Sequence, residues 1–158
     1  MNELLKIRNL SVFCNSNKNG RLRILDHINL DICPNEFVSV VGESGSGKSM
    51  VLKSILGLNS PKHFQSEGDI IFEGRNIRIL AEKKLEHIRG REIGIIFQEP
   101  VSYLNPTMKM GKQIGEVVSK HMGVPRKRAF SYINDVLIQL NIDNPHHYIG
   151  CFPFQLSG

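Results

Sequence analysis

GESGSGKS, running from Gly42 to Ser49, is the stretch from which the rest of the chain can be ordered. It fits G-x-x-x-x-G-K-[ST], and each fixed position has a physical reason. Gly45 and Gly47 let the backbone enter conformations closed to other residues and bring its N–H groups against an anion with no Cβ in the way. A helix opening behind them adds unsatisfied N–H donors and the positive end of its dipole. Lys48 supplies a point charge for β- and γ-phosphates, and the Ser49 hydroxyl a hard oxygen for Mg²⁺. Gly42, Glu43, Ser44, Gly45, Ser46, Gly47, Lys48, Ser49 and Met50 are therefore the expected nucleotide contacts. The motif by itself leaves ATP and GTP, hydrolase and kinase, open.

The flanking residues supply the context such a loop needs. Before it, Phe37 to Val41 reads FVSVV, a nearly continuous apolar run of the kind found in strands covered on both faces, so a central strand is expected. After it, KSMVLKSILGL predicts a helix with Val51, Leu52, Ile55 and Leu56 on one face and Gly57 able to end it. Upstream, Leu4–Phe13 and Arg23–Ile32 alternate apolar with polar residues around the turn-rich Asn15–Gly20, which predicts an antiparallel pair. Downstream, Gly68–Gly74 reads as a short strand ending in a turn and Ala81–Gly90 as a short helix. IGIIF, Ile93 to Phe97, reads as a second buried strand. Pro100 and Pro106 then break QEPVSYLNPT into a loop. Two helical stripes follow, one of Ile114, Val117, Val118 and His121, the other of Phe130, Ile133, Val136, Leu137 and Leu140.

The bulk composition agrees with an ordinary folded chain. At 158 residues, with 41% apolar and 22% charged residues, it fits one domain with no disordered tract. No apolar run approaches the roughly 18 residues of a membrane span, and the N-terminus lacks the pattern of a signal peptide, so a cytoplasmic protein is expected. Cys14, Cys33 and Cys151 lack CxxC spacing and are expected as free thiols rather than a disulfide framework or a zinc site. The net charge of +5 comes from scattered Lys and Arg; the single tight cluster, Arg126-Lys127-Arg128, reads as a solvated helix start rather than a nucleic-acid patch. Adjacent His146 and His147 project in different directions from most backbones, so they read as surface-loop residues rather than metal ligands.

Taken with the phosphate loop, IIFQEP (Ile95 to Pro100) and the terminal LSG (Leu156 to Gly158) make the sequence similar to the nucleotide-binding subunit of ABC transporters, over the whole chain. The resemblance implies an α/β fold: a P-loop NTPase core with an antiparallel β subdomain, residues 1–98, and a helical subdomain, residues 99–158, ending at the start of the signature motif. It implies that Phe13 stacks on adenine, that Gln98 touches Mg²⁺ and the attacking water, and that Ser157 reaches the γ-phosphate bound by a second subunit. Lys48, Gln98 and Ser157 are thus the expected catalytic set, Ser49 and Gln98 the metal contacts, and ATP and Mg²⁺ the cofactors.

The finer likeness is to the peptide and nickel importer branch, whose usual FQDPxxSLNPxxxxGxQI is close to FQEPVSYLNPTMKMGKQI here. Glu99, Tyr103 and Phe154 depart from that pattern without touching a phosphate ligand, and leave the cargo open between short peptides, nickel and metal chelates. The implied partners are a second ATP-binding subunit, membrane permease subunits and, indirectly, a substrate-binding protein, with the chain peripheral on the inner face of the cell membrane and no nucleic acid bound. A soluble ABC-type ATPase acting on nucleic acid or the ribosome is the alternative; a P-loop kinase or GTPase leaves LSG and Gln98 together unexplained. The family's Asp-Glu strand and histidine loop have no counterpart up to Gly158, so the expectation is the N-terminal part of a longer protein, without ATPase activity as it stands.

Overall fold

Alternation of apolar and charged residues in the first 32 positions produces the sheet on which the rest is built. The structure, a computed structural model, describes residues 3–16 and 20–156 and divides into two compact units, Met1–Ile93 and Gly94–Gly158. In the first unit, β1 (Leu5–Ser16) and β2 (Gly20–Ile32) pair antiparallel, with Leu5 opposite Ile32 and Asn15 opposite Arg21. This is the expected pair; residues 17–19 of the turn-rich segment lie outside the described residues. The other edge of β1 takes β3 (Phe64–Phe72), and β3 takes the short β4 (Arg75–Asn76), giving the order β2-β1-β3-β4.

β3 begins earlier than its apolar residues suggest, because the polar Gln65, Ser66 and Glu67 pair with Phe13, Val12 and Ser11 of β1. Its far end turns through Glu73 and Gly74, φ +47 and +74, the two positive φ values of a type I′ hairpin turn. Gly68 sits where β1 slips register between Arg8 and Ser11. Its φ is +90, and a Cβ there would stand 2.5 Å from the Arg8 carbonyl oxygen. At the β1–β2 edge, Arg8 donates to Asp31 at 2.8 Å and holds that carboxyl below the usual carboxylate range.

The inner face of the sheet is the core. Ile7, Leu10, Val12, Ile70 and Ile77 are almost wholly buried, together with Val51 and Ile55 of α1 (Lys48–Ile55) and Leu85 and Ile88 of α2 (Glu82–Ile88). α1 ends as the sequence predicts, at Gly57 with φ +60. The Gly57 N–H donates to Ser54 O and the Leu58 N–H to Lys53 O, the paired bonds of a Schellman motif. Arg89 fastens that end down, donating to the carbonyls of Leu56 and Gly57 and pairing with Glu82.

Several expectations need correction. Phe37–Val41 and Ile93–Phe97 are not buried strands: Phe37 is fully exposed, Val41 is 89% and Ile96 92% exposed. Among the described residues neither run joins a ladder; a lone parallel bridge links Arg89 and Ile93. A strand needs neighbours for its N–H and C=O groups, and apolarity records a demand for cover without supplying it. Leu52 is 50% exposed, because consecutive helical residues point about 100° apart and the contact seen by α1 is narrower than the stripe assigned to it.

The second unit is helical, as expected, with α3 (Met110–Met122), α4 (Arg126–Gln139) and α5 (Pro145–Gly150). Its closest contacts fall on small residues. Gly111, Gly115 and Ala129 are buried beside Ile133, while Val117, Phe130 and Leu140 of the expected stripes are exposed. A Cβ on Gly111 would lie 2.9 Å from both the Phe130 ring and the Ile149 carbonyl oxygen. Here helix approach is set by missing side chains rather than by large apolar ones. His146 and His147 belong to α5 and not to a loop, whereas Arg126, Lys127 and Arg128 open α4 exposed, as read from the sequence.

Gly68→Ala should destabilise the chain by about 2 kcal/mol or more, since left-handed strain adds to a backbone collision with β1. Gly20→Ala, also at positive φ but with nothing within 4 Å of its Cβ, should cost about half that. Urea unfolding midpoints of the two variants make the comparison.

Candidate functional site

The phosphate loop grows from its glycines. Gly45 and Gly47 have φ +84 and +93, and between them the Ser46 N–H donates back to Glu43 O at 3.2 Å. Lys48 folds over the loop, its ammonium donating to the carbonyls of Gly42 at 2.8 Å and Glu43 at 2.6 Å and lying 3.4 Å from Ser46 Oγ. The positive charge is therefore held at the loop's mouth by main-chain oxygens, and among the described residues it is not tied up in an ion pair. Met50 and Val51 donate to Gly47 O, whereas among the described residues the N–H groups of Lys48 and Ser49 meet no acceptor. Those two donors, the start of the α1 dipole and the Lys48 ammonium converge as an anion nest. Ser49 is exposed, free to offer its hydroxyl to a hard cation. Residues 42–49 thus have the donors and charge that a polyphosphate with Mg²⁺ calls for.

What seats the loop is a contact the sequence reading missed. Gly47 passes so close to β2 that a Cβ would stand 2.6 Å from Leu25 Cδ2. Leu25 is 4% exposed and opposite Val12 in the ladder. Below the loop a cavity of about 450 Å³ is lined by Leu25, Ile28, Val38, Val40 and Val51.

Phe13 lies on β1 opposite Arg23, one ladder step beyond the Val12–Leu25 pair. Strand alternation turns its side chain, with those of Gln65 and Glu67, to the sheet face opposite Val12 and Leu25. Its ring is half-buried and already covered, with the Arg21 guanidinium 3.6 Å above the centroid. Arg21 also bonds Glu67 Oε1 at 2.6 Å. Neither residue was singled out from the sequence, although the alternation that puts 13 and 15 on one face puts 21 and 23 beside them.

In the second unit Gln98 is exposed and precedes a 3-10 turn, Pro100–Tyr103. The loop after it is bonded internally. Asn105 Oδ1 accepts from the N–H and hydroxyl of Thr107, while Gln113 accepts from Asn105 N–H and donates to the carbonyls of Asn105 and Met108. The motif NPxxxxGxQI thereby acquires a physical meaning: Asn105 makes the turn, Gly111 lets α3 pack, and Gln113 ties the turn to α3. Tyr103 stacks on Phe97 with centroids 3.9 Å apart, and Val101 and Tyr103 remain 46% and 60% exposed. Ser157, the expected signature contact, lies outside the described residues. Cys14, Cys33 and Cys151 are free thiols.

Comparisons with known proteins bear on this geometry. A profile of the family described as ABC transporter matches residues 25–158. The chain is 36% identical over 156 residues to the oligopeptide transport ATP-binding protein OppD of Bacillus subtilis, covering 98% of this chain and 43% of that protein. It is 36% identical to the dipeptide transport ATP-binding protein DppD of Lactococcus lactis, covering 99% and 45%, and 37% identical to the peptidoglycan transport ATP-binding protein YejF of Agrobacterium fabrum, covering 98% and 28%. It spans less than half the length of each. Among solved structures, the ATP-binding cassette MJ0796, a dimer bound to ADP and Pi, superposes with TM-score 0.73 at 24% identity, over 97% of this chain and 63% of that one. The cbiO1 protein of Clostridium perfringens, part of the complex cbiONQ, superposes with TM-score 0.65 at 23% identity, over 99% and 57%. These superpositions establish an ABC ATPase nucleotide-binding fold.

Gly47→Ala should lower nucleotide affinity at least tenfold and cost about 2 kcal/mol of stability, because the loop must lift off Leu25. Gly45→Ala, with nothing within 4 Å of its Cβ, should cost about 1 kcal/mol and bind measurably. Calorimetric titration with ATP and thermal melting separate the two.

Proposed function

Because this chain belongs to the ABC transporter family, we propose that it is the ATP-binding part of a peptide importer, in which MgATP binding and hydrolysis between two such subunits drive uptake through membrane permease subunits. The observation that carries this reading is the anion nest of Gly42–Ser49, with the Lys48 ammonium held over it by two carbonyls. Peptides are preferred to nickel or metal chelates as cargo because the relatives named above are peptide-, dipeptide- and peptidoglycan-transport proteins. No described helix is long and apolar enough to cross a membrane. The proposed location is therefore peripheral, on the inner face of the cell membrane, with a substrate-binding protein acting indirectly.

Each residue then has a task. Backbone N–H groups of the loop and of Lys48 and Ser49 hold the phosphates, and Lys48 stabilises charge that builds on the β–γ bridge as it breaks. Ser49 and Gln98 would be the residues to hold Mg²⁺, which when bound would neutralise phosphate charge. The Gln98 carboxamide orients water without adding charge of its own, and Ser157 contacts the γ-phosphate on the partner subunit. Residues 1–98 form the nucleotide core and residues 99–158 the helical part. Taken alone, the 158-residue chain is expected to bind MgATP weakly and release phosphate at background rate.

The exposed Val101 and Tyr103, on a loop stiffened by Gln113, are proposed as the seat for a cytoplasmic loop of the permease. Lys48→Ala should abolish ATP turnover in the intact protein, and unchanged phosphate release would sink the assignment. Tyr103→Glu should reduce peptide uptake by membrane vesicles about tenfold or more while detergent-solubilised ATPase stays near its starting rate; equal uptake would place the permease elsewhere.

A further inference from the structure

The two ends of α1 are held by different means. At its start Gly47 rests against Leu25, and along its length Val51 and Ile55 sit in the core. Those contacts are apolar, and apolar burial presses a helix down without fixing how far it slides or turns. Ser54 donates to Met50 O at 2.7 Å and accepts from Asn59 at 2.8 Å, bonds local to the helix and its exit turn. At the far end the Schellman bonds occupy the carbonyls of Lys53 and Ser54. Arg89 takes those of Leu56 and Gly57, its Nε donating to the first at 2.7 Å and its Nη2 to the second at 3.0 Å. The same guanidinium pairs through Nη1 with Glu82, so three donors of one rigid fork are aimed at once. Glu82 opens α2 and Arg89 caps it; the grip on α1 therefore comes from a separate element. Unlike the apolar contacts, it is directional.

We propose that Arg89 is a positioning residue for the phosphate loop: its fork fixes α1 along and about its axis, and with it the Lys48 and Ser49 N–H groups that the helix presents to phosphate. The inference rests on the reading of Gly42–Ser49 as a nucleotide nest and deepens it. α1 has eight residues, a length of about 12 Å, and a rod that short moves as one piece. A shift at Gly57 is therefore felt at Lys48. Geometry matters here as much as charge. A lysine at position 89 would still complement the helix dipole, but as a single point it would not hold two carbonyls and a carboxylate together. Glu82 acts at one remove, by orienting the fork.

The test is a set of dissociation constants for MgATP, MgADP and inorganic pyrophosphate, measured on the intact protein as wild type, R89A, R89K, E82Q, K48A, G20A and G68A, at a temperature where melting curves show each variant folded. Arg89→Ala should weaken all three ligands by a common factor of about ten, and Arg89→Lys and Glu82→Gln by about three, as expected for a displaced binding group. Gly20→Ala and Gly68→Ala, which strain the sheet, should melt lower yet keep wild-type affinity. If R89A does not fold, R89K and E82Q carry the same comparison. An equal loss of affinity in G68A and R89A would reduce the effect to stability and overturn the positioning role. Full affinity in R89K would reduce it to charge and overturn the fork. A loss for the nucleotides with pyrophosphate binding unchanged would put the effect outside the nest, and overturns it too. Unchanged affinity in R89A with K48A impaired overturns the inference while the nest stands; unchanged affinity in K48A removes the nest, and the inference falls with it.

Discussion

Gly47 turns with φ +93 while passing Leu25 so closely that a methyl group would stand 2.6 Å from its Cδ2, so the phosphate loop and the antiparallel sheet form a single packing problem. Leu25 is buried opposite Val12, and Val12 lies in the centre of the sheet's inner face. The loop therefore inherits its position from the core, and α1 starts where the loop sets it down. That start matters because the two free N–H groups and the dipole act only over the first turn. A loop with the same residues seated elsewhere would keep its donors but lose their convergence.

The second unit uses the same economy of side chains. Gly111 and Gly115 bring α3 against Phe130 and Ile149, close packing from which the helices gain dispersion contacts. Ahead of α3, Gln113 gives its carboxamide oxygen and nitrogen to one turn, making three hydrogen bonds to Asn105 and Met108. Bonds of that kind are individually modest, yet a loop with its own carbonyls and N–H groups satisfied needs little further ordering when something docks on it.

The exposed runs Phe37–Val41 and Ile93–Phe97 show the other side of this accounting. They are among the most apolar stretches in the chain, and residues such as Phe37, Val41 and Ile96 face water. Exposed apolar segments lacking a ladder are open to pairing with another chain. The phosphate loop follows one of them directly, and Val38 and Val40 of that run share the lining of one cavity with Leu25 and Val51.

Local chemistry was legible in the residues themselves. The nest, the Lys48 charge, the Gly57 helix stop, the β1–β2 pair and the helical character after residue 109 follow from glycine conformations, alternation and helical period, which are properties of neighbours along the chain. Tertiary structure alone decided that Leu25 lies under Gly47, that Gly111 and Gly115 rather than Val117 make the helix contact, that Arg21 reaches Glu67 across Phe13, and that FVSVV stays uncovered. Each of these depends on which distant residue arrives opposite, and a sequence states what a segment needs from its neighbours without stating which neighbours it meets.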